Sequence, residues 1–85
     1  MNDFEYCNEK YELLYLEYKK MLKSMISIDK IENTESLTVT ELAQLFKEEY
    51  PDKEKAIIRI NSLFMQEVSL ANLEELLDLL KYIKE

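Results

Sequence analysis

The sequence predicts an all-α fold in which a long N-terminal helix packs on a compact unit of three shorter helices. Composition is the first reason: the 85 residues include no glycine and one proline, which argues against a turn-rich β domain. Periodicity is the second reason, because apolar residues recur at helical spacings in four separate segments,. A chain of this length is enough for a single domain, residues 1–85, and too short for two.

The first helix is predicted over residues 3–27. Eight apolar positions in this segment and directly after it follow one another at alternating spacings of three and four. Both spacings bring side chains to one side of a helix. We call this row the seam, and its members are Phe4, Cys7, Tyr11, Leu14, Tyr18, Met21, Met25 and Ile28.

The second helix, predicted over residues 39–49, has the clearest start in the chain. Thr38 and Glu41 fit a capping box, in which each side chain bonds to the backbone of the other residue. Leu37 and Leu42 flank this box as a hydrophobic staple. Pro51 predicts the end of the helix, because a proline disfavours the α conformation of the residue before it.

The third and fourth helices are predicted over residues 52–67 and 70–84. Pro51 suits the first position of the third helix, where its missing N–H costs nothing. Apolar residues occupy nearly every face of that helix, which is typical of the most buried helix of a fold. Ser69 is a suitable N-cap for the fourth helix, and the leucines that follow give it a broad apolar face.

Helix lengths predict that part of the seam stays uncovered. The first helix extends ~38 Å, whereas the third and fourth extend only ~23 Å each. An exposed apolar stripe usually marks an interface, and the alternative is that this end of the helix frays. The uncovered part is predicted at the N-terminal end, with Phe4, Tyr6, Cys7 and Tyr11.

The composition argues against most kinds of catalytic chemistry. The chain has no histidine, one cysteine and no glycine, so it lacks the commonest general base, a zinc ligand set and a phosphate-binding loop. We therefore expect a protein that is not an enzyme, with no catalytic residue, no cofactor and no metal site. The absence of a signal-peptide pattern and of a membrane-length apolar run favours a cytoplasmic protein.

The charge of the chain indicates which partners it attracts. Eighteen acidic residues against eleven basic ones give a net charge of −7. Such a balance disfavours binding to nucleic acid and to an anionic membrane surface. It favours a protein partner with a basic surface.

The predicted partner-binding or dimer residues lie on the first helix. Four tyrosines fall within thirteen residues there, and tyrosine is enriched in protein interfaces. The alternative is ordinary core packing with the hydroxyl groups at the rim. Together with the seam, these tyrosines give a predicted site of Phe4, Tyr6, Tyr11, Leu14, Tyr15, Tyr18, Met21 and Met25.

The charges of the first helix also predict a homodimer. Acidic residues fill its first part, and Lys19, Lys20 and Lys23 fill its end, a pattern that also complements the helix dipole. Two such helices laid antiparallel would match acidic halves with basic halves. The crossing is predicted near Leu14 and Tyr15.

These observations favour a small acidic protein-interaction module, an inhibitor, antitoxin-like, adaptor or immunity-type protein that masks a partner protein. The alternative is a helix-turn-helix DNA-binding regulator that dimerises through the first helix. Residues 37–46 and 56–64 have apolar spacings that resemble the opening of many bacterial DNA-binding domains. Their connection, however, is longer than the usual tight turn and lacks glycine. A scaffold subunit that assembles repeatedly is a third interpretation.

Overall fold

The predicted all-α architecture is confirmed by the computed structural model, which describes the backbone of residues 3–27 and 37–85 and the side chains of residues 5–27 and 37–85. Helix α1 spans Asp3–Met25, α2 spans Val39–Glu49, α3 spans Glu54–Met65 and α4 spans Leu70–Lys84. The long α1 packs on α2 and on α4, while α3 packs on α2 and α4. The side chain of Phe4 and all of Ile28 lie outside the described residues.

The starts of α2 and α4 are set by the residues that the sequence indicates. The Thr38 hydroxyl accepts from the backbone N–H of Glu41 at 3.1 Å, and the Thr38 N–H donates to the Glu41 carboxylate at 3.2 Å. The Ser69 hydroxyl accepts from the N–H of Asn72 at 3.1 Å. Each cap satisfies one or two of the backbone groups that a helix terminus leaves without an intrahelical partner.

The start of α3 differs from the prediction by two residues. Pro51 opens a short 3-10 turn, Pro51–Lys53, and α3 begins only at Glu54. The reason lies in the backbone of Lys53, whose φ of −106° and ψ of 7° depart from α-helical values,. The turn redirects the chain between α2 and α3 without a glycine.

One apolar core joins the four helices. Side chains from each of them form a single cluster of buried residues. Burying a large aliphatic or aromatic side chain contributes roughly 1.5–3 kcal/mol, so this cluster supplies most of the favourable free energy of folding. Its largest fully buried members are Tyr18, Leu22, Leu42, Phe46, Ile57, Ile60, Leu63, Leu76 and Ile83.

The expectation that the N-terminal end of the seam is uncovered is wrong for Cys7 and Tyr11. Tyr6 is exposed as expected, and the side chain of Phe4 lies outside the described residues. Cys7 keeps only 2% of its possible exposure and Tyr11 only 6%. The ring of Phe64, near the end of α3, meets the Tyr11 ring edge to face at 6.1 Å. Helix length alone predicted exposure, but the corner between α3 and α4 lies against this part of the seam, where Phe64 covers Tyr11.

Helix α3 is also less buried than its composition predicts. Ile58 is half exposed and Met65 is almost fully exposed. Its inward side, formed by Ala56, Ile57, Ile60 and Leu63, carries the core contacts. Two large apolar side chains are therefore left on the outer surface of a helix that the sequence pattern places entirely inside.

Candidate protein-binding surfaces

The fold divides seven of the eight residues of the predicted binding site into two groups, and the side chain of the eighth, Phe4, lies outside the described residues. Tyr6 and Tyr15 are exposed, and Met25 is half buried. Four others keep at most 6% of their possible exposure and belong to the core: Tyr11, Leu14, Tyr18 and Met21. The seam is thus chiefly an intrachain contact, and the surfaces available to a partner lie on either side of it.

The first surface is a groove between α1 and the α3–α4 corner, which we call the tyrosine groove. Its volume is about 490 Å³ and its lining is mostly apolar. Residues of one side of α1 form one wall, and the end of α3 with the segment after it forms the other. The lining residues are Asn8, Tyr11, Glu12, Tyr15, Leu16, Phe64, Gln66 and Val68.

An aromatic cluster forms the base of the tyrosine groove. The Phe64 ring meets Tyr15 edge to face at 5.3 Å and stacks with Tyr18 at 5.7 Å. The Tyr18 hydroxyl donates a hydrogen bond of 3.1 Å to the side chain of Asn61. Aromatic pairs of this geometry stabilise beyond the area they bury, so the base is held rigidly while the exposed edges of Tyr15 and Leu16 face outward.

Two tyrosine hydroxyl groups at the base of the groove are affected by burial. Burial raises the pKa of Tyr18, and the neighbouring Tyr15 raises it further. Burial also raises the pKa of Tyr11, although the nearby Ser69 backbone and Asn72 side chain oppose the shift. Both groups lie near the Tyr11 hydroxyl, but neither reaches hydrogen-bond geometry, so this hydroxyl has no hydrogen-bond partner among the described residues. These phenols stay protonated at neutral pH and serve packing.

The rim of the tyrosine groove is acidic. Glu12 lines it, and Glu9 and Glu67 are exposed at positions close to its two walls in sequence. Met65, the most exposed large apolar side chain described, precedes the Gln66 of the lining. The groove therefore combines an apolar centre with negative charge at its edge.

The second surface lies between α1 and α4, and we call it the leucine face. Three large apolar side chains of this face are about half exposed: Tyr6 at 45%, Leu13 at 59% and Leu77 at 50%. Exposed apolar side chains that lie together form a surface patch. Where the two helices meet, the face contains a cleft of about 350 Å³. The residues that line the cleft are Tyr6, Lys10, Leu13, Leu14, Glu17, Leu73 and Leu77.

Charged groups that contact other side chains of the protein border the leucine face. The Lys10 ammonium lies 5.7 Å from the centre of the Tyr6 ring, and Glu17 forms an ion pair with Lys84 of α4. The sequence interpretation missed this face because Leu13 falls outside the seam. Part of its signal was present in the sequence, because Leu13 departs from the seam within the longest apolar run of the chain, but its proximity to Leu77 was not.

A DNA-binding regulator would depend on the cations at and near the start of α3, which are Lys53, Lys55 and Arg59, and two of these three contact other groups of the chain. Arg59 donates two hydrogen bonds to Glu75, at 2.6 and 2.8 Å, and this pairing raises the pKa of Arg59 and lowers that of Glu75. Lys53 donates to the backbone carbonyls of Tyr82 and Ile83. These contacts leave Lys55 as the exposed cation at the start of α3.

Neither a metal-binding cluster nor a membrane-length helix is found in the part of the chain that the structure describes. Within residues 3–27 and 37–85, no group of three or more cysteine, aspartate or glutamate side chains is placed to hold a metal ion. Across the same ranges, no helix has the length and apolar character needed to span a membrane.

Comparison with protein-family models, with curated proteins and with solved structures finds no match to this chain.

Proposed function

We propose that this protein is a small acidic interaction module that masks a partner protein, in the manner of an inhibitor, antitoxin-like or immunity-type protein. The observation that carries the proposal is the tyrosine groove, an apolar cleft with a rigid aromatic base and an acidic rim. Its exposed Tyr15 and Leu16 side chains are the contact residues. The protein acts without chemistry of its own, in the cytoplasm, by occupying a surface that the partner needs.

The groove has the features expected at the centre of a protein interface. Binding energy in protein interfaces is concentrated in a few buried aromatic anchors surrounded by residues that exclude water. A standard interface buries about 800 Å² on each partner, which is more than the groove alone offers. Met65 and the acidic side chains around the groove would supply the remaining contact area as its rim.

The partner's surface is expected to be apolar at its centre and basic at its edge. The net charge of −7 and the acidic rim accelerate the approach of a basic surface. Association should therefore slow as ionic strength rises, since exposed charges are screened beyond ~10 Å at 0.1 M salt. We also propose that the chain itself forms a homodimer, which leaves the groove available to the partner.

Affinity capture from the source cell with groove variants tests the proposal. Tyr15→Ala should weaken binding of a partner by about 30-fold, the equivalent of a 2 kcal/mol interface anchor. Ile58→Ala is the matched control, because Ile58 is exposed to a similar degree but lies on α3 outside the groove lining.

A captured protein is purified, and its affinity for wild type and for each variant is measured by isothermal titration calorimetry. Equal affinity for wild type and Tyr15→Ala would refute the groove as the contact surface. An equal loss of affinity in both variants would mean that the substitutions act on the stability of the module and not on the interface.

A further inference from the structure

We propose that a second copy of this chain docks on the leucine face, with the two α1 helices antiparallel and crossing at Leu13. This inference rests on the self-association proposed above and names its surface and its register. It replaces the sequence expectation of a dimer through the seam, because Leu14, Tyr18 and Met21 are buried inside one chain.

A continuous exposed row on α1 carries the inference. Its members follow at spacings of four, three, four and three, which keeps them on one side of the helix. This row is separate from the seam, and every member is exposed. Its centre is apolar and its flanks are charged: Tyr6, Lys10, Leu13, Glu17 and Lys20.

The row is complementary to itself only in the antiparallel orientation. A two-fold axis at Leu13 brings together residues that lie at equal or nearly equal distances on either side of it. Tyr6 and Lys20 each lie seven residues from Leu13, and Lys10 and Glu17 lie three and four residues from it. Lys10 of one copy then faces Glu17 of the other, and Tyr6 faces Lys20, a cation–aromatic pair. A parallel arrangement would instead place Lys10 against Lys10 and Glu17 against Glu17.

Contacts within each chain already order the groups that would meet. The Lys10 ammonium rests near the Tyr6 ring at 5.7 Å, and Glu17 is paired with Lys84. Long side chains that are partly ordered lose less conformational entropy on association. The exposed ion pairs contribute little affinity and set the register, so the apolar centre must hold the dimer.

The size of the face matches the requirement of a dimer. Helix α1 has 23 residues, or ~34 Å, and lies beside α4 with Leu77 exposed between charged flanks. Helix α4 has 15 residues, or ~23 Å, and each helix presents a width of roughly 10 Å, which gives a face on the order of 600 Å². This is close to the ~800 Å² per chain of a standard interface.

The two proposed surfaces can be occupied at the same time. The leucine face uses Leu13 and Glu17, whereas the tyrosine groove uses Asn8, Glu12 and Tyr15. At 3.6 residues per turn these two sets lie on opposite sides of α1, with the buried seam between them. A dimer of this kind therefore presents two open tyrosine grooves.

Sedimentation equilibrium of the full chain tests the surface. Wild type should be a dimer, and Leu13→Asp should raise its dissociation constant at least 30-fold, because it places two carboxylates at the two-fold axis. Ile58→Asp is the matched control, since Ile58 is 51% exposed on α3, and it should remain dimeric. Circular dichroism verifies that both variants keep their helices.

A charge-swap experiment tests the register. Lys10→Glu alone and Glu17→Lys alone should each weaken self-association, because each sets like charges against each other twice in the symmetric pair. An equimolar mixture should restore the wild-type affinity, since both cross-chain pairs in the mixed dimer are attractive. The change at Glu17 removes the ion pair with Lys84 in both chains of the Glu17→Lys dimer and in one chain of the mixed dimer. That loss alone would give the mixed dimer an affinity between those of the two single variants, and not the wild-type affinity.

These outcomes distinguish failure of the proposed dimer surface from failure of the proposed self-association. A wild-type monomer at tens of micromolar would overturn self-association altogether. A dimer that survives Leu13→Asp would overturn the leucine face but keep self-association. A mixture no tighter than the single variants would overturn the antiparallel register.

Discussion

Two tyrosines that share the same aromatic cluster should respond in opposite ways to loss of their hydroxyl groups. Tyr11 and Tyr18 both pack against Phe64, and both are almost completely buried. The Tyr18 hydroxyl donates to Asn61 at 3.1 Å, whereas the Tyr11 hydroxyl has no hydrogen-bond partner among the described residues. Replacing each with phenylalanine removes one oxygen and leaves the ring in place.

The magnitudes follow from the cost of hydrogen bonds in folded proteins. Tyr18→Phe loses one satisfied bond, worth about 1 kcal/mol, and water can still reach the half-buried Asn61,. Tyr11→Phe removes a buried polar group whose desolvation is not offset, so it should stabilise the fold by about 1 kcal/mol. The two variants should therefore differ by about 2 kcal/mol in the free energy of unfolding.

Urea and thermal unfolding, followed by far-ultraviolet circular dichroism, measure this difference. For a domain of this size 1 kcal/mol corresponds to a change in Tm of about 4–8 °C, so the midpoints should move in opposite directions from wild type. An equal loss of stability in both variants would refute the reasoning, because it would mean that Tyr11 makes a hydrogen bond of normal strength in solution.

Three further predictions concern stability. Lys53→Met should lower stability by about 1 kcal/mol, because it removes a charged donor from the carbonyl end of α4, and thermal melting measures the loss. Thr38→Ala should cost about 1 kcal/mol through loss of the α2 cap, while the exposed Thr40→Ala should stay within about 0.5 kcal/mol in the same melt. Burial raises the pKa of Tyr11 and Tyr18, so the unfolded chain releases these protons first. Stability should therefore be full below pH ~10 and fall above it, and urea titrations across that range should show a smaller fall in Tyr18→Phe.

Elements whose signals are local could be predicted from the sequence. The capping residues Thr38 and Ser69 act within one helical turn, and α2 and α4 accordingly begin one residue after each of them. The seam was equally readable as a helix face because its spacing is a property of α1 alone. Cys7 and Tyr11 lie on it and are buried, as their spacing alone would suggest for a core face.

Features that depend on how helices cross could not be predicted in this way. Which part of α1 is covered depends on where the α3–α4 corner lies, and that placement brings Phe64 onto three tyrosines. Crossing angles depend on the shapes of side chains on both helices, not on the length of either. For the same reason the leucine face was missed, since Leu13 gains its neighbour Leu77 only when α4 lies alongside.

The carbonyl ends of the helices have a consequence for how the fold opens. Many helices end in a glycine of left-handed conformation, but this chain has no glycine, and none of its described residues has a positive φ. Distant side chains satisfy some of these carbonyls instead. The Tyr50 hydroxyl donates to the Met25 carbonyl at 2.8 Å, and Lys53 donates to that of Ile83 at 2.8 Å.

A helix end held by another helix cannot be protected by its own sequence. The last turns of α1 and α4 should therefore exchange their amide hydrogens through the same opening events that separate the helices, and not through independent fraying of each end. The rate of amide hydrogen exchange in the last turns of α1 and α4 should therefore measure how often the whole bundle opens.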